Sequence, residues 1–196
     1  LYENFYVEKA LSNGSTLRIF KNREEVNKVC LMKGKMPKEI GEIAIDRMYA
    51  DNNKLSVGDT LKSGKKTWKI TGLVALSDYS ALFQNNNDTM FDAVKFGVAI
   101  VTDKDFEALN QVKVQYNYAW IYDKKPATEK KEKKMAEDLM EDMADVVTIE
   151  SFVPQYQNQS IHFTGDDMGG DKAMMIMLLY IIMVIMAFVF GITISN

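Results

Sequence analysis

Residues 173–194 form an uncharged, strongly apolar segment near the end of the chain. As a helix, its 22 residues would extend for about 33 Å at ~1.5 Å per residue, enough to cross a bilayer core of about 30 Å. A helix buried in a soluble core normally keeps a polar face, and this segment has none. The sequence therefore predicts a transmembrane helix over residues 173–194.

All charged residues lie before this segment. They comprise 24 Lys and Arg and 27 Asp and Glu, for a net charge of −3. Binding to nucleic acid needs a concentrated basic surface, so we expect no nucleic-acid partner. The chain outside the apolar segment is long enough for one ordinary domain, which we assign to residues 1–153.

The two ends of the chain indicate whether it is part of a larger membrane protein and on which side of the membrane its domain lies. Leu1 is not followed by a basic and then an apolar stretch, so no signal peptide is expected. Because the chain stops soon after the apolar segment, we interpret it as a fragment of a larger membrane protein. The residues just before that segment are mostly acidic, which favours placing residues 1–153 on the outer side of the membrane.

Strand and helix patterns interleave through residues 1–153. An Asn13-Gly14 pair between two β-type runs predicts a hairpin, and Gly72 inside an apolar run predicts a bulge or a close backbone approach. We predict strands over residues 1–10, 15–20, 41–46, 55–61, 67–75, 95–102, 112–122 and 145–152. We predict helices over residues 22–34, 47–54, 103–110 and 128–144. Hairpins mixed with helices indicate an α+β domain with a mixed sheet.

Two predictions concern segments with weaker patterns. In the predicted helix 22–34, the apolar face would consist of Val26, Val29 and Cys30, with Cys30 as a small core residue. Residues 154–172 would form a neck or stalk between the domain and the membrane. Its three glycines disfavour a helix, so we expect it to be irregular through Gly170.

Residues 76–91 interrupt the regular pattern and contain the loop sequence Gln-Asn-Asn-Asn-Asp. Long irregular segments of this kind are frequently functional. We therefore take the segment as a possible loop for a partner or substrate, represented by Tyr79, Leu82, Phe83 and Phe91. In the alternative interpretation these side chains fold back onto the domain as a small additional core.

Catalytic and metal-binding patterns are missing from the sequence. It has no G-x-x-x-x-G-K-[ST] loop for ATP, and its single His162 and single Cys30 do not form a nucleophile pair or a metal-ligand cluster. We expect no catalytic residue, no metal and no cofactor in this chain.

Several short motifs occur in a characteristic order. Leu31-Met32-Lys33-Gly34-Lys35-Met36-Pro37 precedes Gly41-Glu42-Ile43-Ala44-Ile45. Leu55-Ser56-Val57-Gly58-Asp59-Thr60-Leu61 and then Trp68-Lys69-Ile70-Thr71-Gly72-Leu73-Val74 follow. This series resembles the extracytoplasmic domain of FtsX-like ABC transporter permeases, which include MacB and the lipoprotein-release permeases. Lys35 stands where that family usually has Arg. The apolar segment resembles the second transmembrane helix of the same family.

The resemblance implies a function and a set of partners. Residues 1–153 would lie outside the cytoplasmic membrane, between the first two transmembrane helices of a permease. The expected partners are a cytoplasmic ABC ATPase, the lipid membrane and a second permease copy or half. ATP hydrolysis would drive movement of the outer domain, for export or for mechanical signalling. Our hypothesis is that residues 154–172 are the coupling stalk, and a long rigid insertion at Gly165 that left ATP-dependent activity intact would exclude it.

Two other functions fit the sequence. The chain could be the outer sensor domain of a membrane receptor kinase, which predicts a ligand pocket and a signalling helix after residue 196. It could also be a membrane-anchored binding module, which predicts that the protein ends soon after residue 196.

Overall fold

The computed structural model describes residues 1–109 and 113–195, without the side chains of residues 166–168 and 195. Its strands are β1 (Tyr2–Glu3), β2 (Tyr6–Ala10), β3 (Thr16–Lys21), β4 (Val29–Gly34), β5 (Glu42–Asp46), β6 (Thr60–Ser63), β7 (Lys66–Leu76), β8 (Phe96–Val101) and β9 (Tyr118–Ala119). Its helices are α1 (Arg47–Asn52), α2 (Asp103–Glu107), α3 (Glu129–Ala144) and α4 (Gln159–Ser195).

A mixed seven-stranded sheet forms the centre of the fold. Its order is β2-β3-β8-β5-β7-β4, and β6 pairs with β7 beside β4. The pairs β3–β8 and β5–β7 are parallel, and the other pairs of this sheet are antiparallel. The predicted α+β class with a mixed sheet is confirmed.

The hydrophobic core lies around the central strands. Every residue of β8 is buried, as are four consecutive residues of β3. Strands that have neighbours on both sides and are covered on both faces are apolar throughout. The largest fully buried side chains include Trp68, Tyr49 and Phe20. This core fixes the position of the segments that leave the ends of β7 and β3.

The hairpin prediction is confirmed, and two short helices are capped by side chains. Strands β2 and β3 form an antiparallel hairpin around Gly14, which has φ +83°. Asp46 accepts hydrogen bonds from the first backbone N–H groups of α1. Thr102 caps α2 by accepting the N–H of Asp105 at 3.2 Å. The predicted end of α2 at residue 110 lies outside the described residues.

The predicted helix over residues 22–34 is wrong. Residues 29–34 instead form β4, in which Val29 pairs with Leu76 and Cys30 with Ala75. Strand β7 offers a free edge there, and backbone pairing to that edge outweighs a weak local preference for helix. Cys30 is consequently exposed at the edge of the sheet and is not a core residue.

Two predicted strands are also wrong. Within the described part of 112–122, only Tyr118–Ala119 is a strand, and Gln115 makes an isolated bridge to Tyr6. Residues 145–152 form no strand, and Val146 is 82% exposed. Both segments have strand-type composition but lack a long sheet edge to pair with. Aromatic contacts hold them in place, as when Trp120 stacks on Phe152 with 4.8 Å between the ring centroids.

Helix α4 begins earlier than the sequence suggested. It runs from Gln159 through Gly165, Gly169 and Gly170 without interruption, so the expected irregular neck through Gly170 is wrong. Three glycines cost a helix about 3 kcal/mol together, but helix extension is cooperative and a long apolar helical stretch follows directly. The domain boundaries at residues 153 and 172 remain predictions.

The described residues contain one helix that is long and apolar enough to cross a membrane, Gln159–Ile194. The chain divides into two compact units, Leu1–Ile161 and His162–Asn196. The first turn of α4 thus belongs to the same unit as the sheet.

Candidate functional site: the strap between the sheet and helix α4

Residues 77–95 connect β7 to β8, and we call residues 77–91 of this connection the strap. It begins with a 3-10 turn at Ser77–Tyr79 immediately after β7. Leu82 is fully buried and Phe83 is 2% exposed, while Tyr79 and Phe91 are half-buried against the core. The alternative interpretation, in which these side chains pack back onto the domain, describes their positions. Their role in binding a partner or substrate stays a prediction.

Ring contacts join three of the four predicted site residues to their surroundings. Phe83 and Phe91 form an edge-to-face pair with 5.6 Å between the centroids. Tyr79 lies 6.0 Å from Phe20 of β3, measured between centroids. The structure therefore places Phe83 with Phe91 at one end of the strap and Tyr79 against the sheet at the other.

Arg18 of β3 is the main polar contact between the sheet and the strap. Its guanidinium donates to the Tyr79 hydroxyl at 2.8 Å and to the Gln84 carbonyl oxygen at 2.7 Å. It also pairs with the Glu8 carboxylate of β2 at 2.6 Å. Gln84 donates to the other oxygen of the same carboxylate at 3.1 Å. One buried cation thus holds both ends of the first half of the strap.

The environment of Arg18 stabilises its charge. Burial would lower the pKa of the guanidinium, but Tyr79, Tyr6 and Glu8 outweigh this effect and hold the pKa above its ordinary value. The Tyr6 ring lies 4.3 Å from the guanidinium carbon, a favourable cation–π distance. Burial raises the pKa of the Tyr79 hydroxyl. Arg18 therefore stays charged and Tyr79 stays neutral at any physiological pH.

A second arginine binds the start of the strap. Arg23, just after β3, makes a two-pronged contact with Asp78 at 2.6 and 2.9 Å. The two side chains are only 5% and 8% exposed. Asn27 donates to the same carboxylate at 3.3 Å. Bidentate charge-assisted bonds are strong and geometrically specific, so Asp78 is firmly fixed to the sheet.

The strap also contacts the first turn of α4. The Ser80 hydroxyl donates to the carbonyl oxygen of Ser160, and it lies 3.3 Å from that of Ile161. The backbone N–H of Ala81 donates to the Ser160 oxygen as well, at 3.2 Å. Ser160 is 7% exposed. We call the contact between residues 80–88 and 157–161 the seam.

The distal half of the strap provides a cap for α4. Asn86 Oδ1 accepts the backbone N–H of Gln159 at 3.0 Å, and Asn86 Nδ2 donates to the Gln157 oxygen at 3.1 Å. Gln159 Nε2 donates to the backbone oxygen of Asp88 at 3.0 Å. The first N–H groups of a helix have no partner within the helix. The strap supplies one, and so helps to determine where α4 begins.

Sequence reasoning missed Arg18, Arg23 and Asp78. A charged residue within the apolar run of β3 was a usable signal, since the hairpin register places Glu8 directly opposite Arg18. The sequence offered no comparable signal for the pairing of Arg23 with Asp78 or of the strap with α4. Within the described residues, no group of three or more His, Cys, Asp or Glu side chains is placed to hold a metal ion.

Another concave region of the domain lies away from the strap. It is an open depression of about 810 Å³ between the end of α3 and residues 145–152. Its lining includes Met140, Val146 and Phe152 but none of the four predicted site residues.

Comparison with known proteins gave structural neighbours only. No family model and no curated protein matches the chain. The periplasmic region of MacB from Actinobacillus actinomycetemcomitans is similar at 12% identity and a TM-score of 0.35, covering 76% of each chain. A domain of a permease protein from Porphyromonas gingivalis has the same identity and TM-score, covering 76% of this chain and 71% of its own. A TM-score this low does not establish a common fold.

Proposed function

We propose that the chain is the outer domain and second transmembrane helix of an FtsX-like ABC transporter permease. In this role the domain of residues 1–153 lies outside the cytoplasmic membrane. A cytoplasmic ATPase hydrolyses ATP, and α4 transmits the resulting movement to the domain for export or mechanical signalling. A second permease copy or half completes the assembly.

The observation that carries the proposal is the seam. The strap is fixed to the central sheet by Arg18 and Arg23, and it is hydrogen-bonded to the first turn of α4. The first turn of α4 is therefore joined to the domain by side-chain hydrogen bonds and not only by the chain itself. A continuous α4 without an irregular neck suits the transmission of movement, because a helix resists bending better than a glycine-rich coil.

The motifs that carry the family resemblance converge in space, which supports it further. Gly34 at the end of β4 pairs with Gly72 of β7. A Cβ atom on Gly72 would lie 2.5 Å from the Lys35 backbone oxygen. The third motif packs at the same corner, because the backbone N–H of Gly58 donates to the Ile70 backbone oxygen at 2.8 Å. Three separated motifs thus build one tightly packed corner of the sheet.

Purification of the full-length protein from the membranes of cells that make it tests the proposal. We expect an ATPase with a P-loop to co-purify in stoichiometric amount with the tagged protein. A kinase domain in the same polypeptide would favour a sensor, and a lone polypeptide without an ATPase would favour an anchored binding module. Either of these two results would contradict the permease.

A further inference from the structure

The two sides of the strap are held by contacts of different kinds. On the sheet side, Arg18 and Arg23 make charge-assisted hydrogen bonds, and Asp78 is almost fully buried. Separating such a pair leaves an uncompensated charge in the interior, which is strongly unfavourable. The strap should therefore stay with the sheet whenever the domain is folded.

On the helix side, the polar contacts described across the seam are all uncharged. They are made by Ser80, Ala81, Asn86 and Gln159. Asn86 and Gln157 are exposed, so water can replace their hydrogen bonds as soon as the seam separates. Uncharged hydrogen bonds that exchange with water contribute little net free energy.

We propose that the seam is the opening point of the domain: the strap moves as one body with the sheet, and the first turn of α4 detaches from Ser80 and Asn86. This inference rests on the proposed coupling function, because it specifies where the movement of α4 enters the domain. It makes the strap a positioning element for the helix and not a binding loop. The open state exposes Ala81 and Ser160, which are nearly inaccessible in the closed state.

The rate at which a buried thiol reacts measures such openings. In the full chain, in lipid nanodiscs and with Cys30→Ser as background, two matched variants are compared. Ala81→Cys places a thiol at the seam, where the residue is 1% exposed, and Ala99→Cys places one in β8, where the residue is 0% exposed. Ala44→Cys in β5, also 0% exposed, is a second reference if Ala99→Cys does not fold.

We expect the thiol of the Ala81→Cys variant to react with a maleimide about tenfold faster than the thiol at the reference position, because local opening precedes global unfolding. Adding Ser80→Ala should raise the Ala81→Cys rate about fivefold, as expected for loss of one hydrogen bond, and leave the reference rate unchanged. Equal rates at the seam and in the sheet, or an equal effect of Ser80→Ala on both, would overturn the inference.

The experiment needs no ATPase, so its result is separate from that of the purification above. If the seam opens but no ATPase co-purifies, the inference on the seam stands and the permease is contradicted. If an ATPase co-purifies but the seam does not open, the permease stands and the inference on the seam is contradicted.

Discussion

At the scale of single residues, the domain is unusual in placing two arginines of one strand region in its interior. Arg18 is 8% exposed and Arg23 is 7% exposed. Each is bound by a carboxylate, Glu8 or Asp78, and each has an aromatic ring below 5 Å from its guanidinium carbon. Buried charges of this kind specify one arrangement of the strap more strictly than apolar packing would.

Replacement of Arg23 should be strongly destabilising. Arg23→Met leaves Asp78 buried without its cation, so we expect the free energy of unfolding to fall by about 3–5 kcal/mol. Urea unfolding of the full chain in detergent, followed by tryptophan fluorescence, measures the change, because Trp68 is 1% exposed in the core.

A matched control for this change is Arg47→Ala. Arg47 pairs with Asp51 at 3.0 Å, but the two side chains are 54% and 59% exposed. Loss of such a surface pair should cost less than about 1 kcal/mol. If both arginine variants proved equally stable, the buried pair would not hold the strap.

Asp46 makes the stability depend on pH. Burial raises its pKa to about 6 from 3.8, against the opposing effect of the N–H groups of Tyr49 and Met48. The folded state therefore binds this proton more tightly than the unfolded state, and the contribution of Asp46 to stability is lost as the pH rises from about 4 to about 6.

Asp46→Asn keeps a helix-capping side chain and removes the titration. We expect its free energy of unfolding at pH 7 to exceed that of the wild type by ~3 kcal/mol, with no difference at a pH of about 3.5, below both pKa values. The pKa of Glu42 is shifted the other way, because the N–H groups of Lys38 and Glu39 lower it to about 2. A wild type and variant with parallel pH profiles across this range would contradict the assignment to Asp46.

At the scale of secondary-structure elements, the backbone is closely packed at the corner formed by β4, β7 and the turn before β6. Gly34 has φ +79°, and a Cβ there would lie 2.3 Å from the Thr71 backbone oxygen. Backbone crowding of this kind cannot be relieved by a side-chain rotation. Any side chain at position 34 or 72 should therefore destabilise the corner.

Gly72→Ala is the cleaner test, because Gly72 has no positive φ. A Cβ there would clash with the Lys35 backbone oxygen at 2.5 Å and would lie 3.2 Å from the Leu31 side chain. We expect a loss of about 1–3 kcal/mol from overpacking, measured by the same urea unfolding. The control is Gly165→Ala in α4, where a Cβ meets nothing within 4 Å. An alanine that is as well tolerated at position 72 as at position 165 would show that the corner is loose.

Prediction of elements from the sequence succeeded where the determinants are local. Strands β5, β7 and β8 are apolar runs bounded by turn or cap residues, and the sequence shows both features. It failed for β4, whose identity depends on the edge of β7, a strand distant in the sequence. The same limit applies to the seam, where Asn86 meets Gln157 at a separation of 71 residues. Tyr79, Leu82, Phe83 and Phe91 all lie in the strap, but the sequence did not show the contacts that join the strap to the sheet and to α4.

At the scale of the whole molecule, the proposal requires the sheet domain to lie outside the cytoplasm. Cys30 is exposed on β4 and is the only cysteine of the chain. A membrane-impermeant maleimide added to intact cells should therefore label Cys30 in the full-length protein, and Cys30→Ser should remove the label at this position. Labelling of Cys30 that appears only after the cells are lysed would place the domain on the cytoplasmic side.

The most direct test of the central claim is an ATP-dependent change at the seam in the assembled complex. Ala81→Cys, with Cys30→Ser, is labelled in the complex with its ATPase, with ATP or with ADP bound. We predict a nucleotide-dependent labelling rate that persists with Gly165→Ala and is lost with Gly165→Pro, since proline interrupts a helix interior, while Ala99→Cys stays constant throughout. A seam whose labelling is the same in both nucleotide states, or whose response survives Gly165→Pro, would contradict coupling through α4.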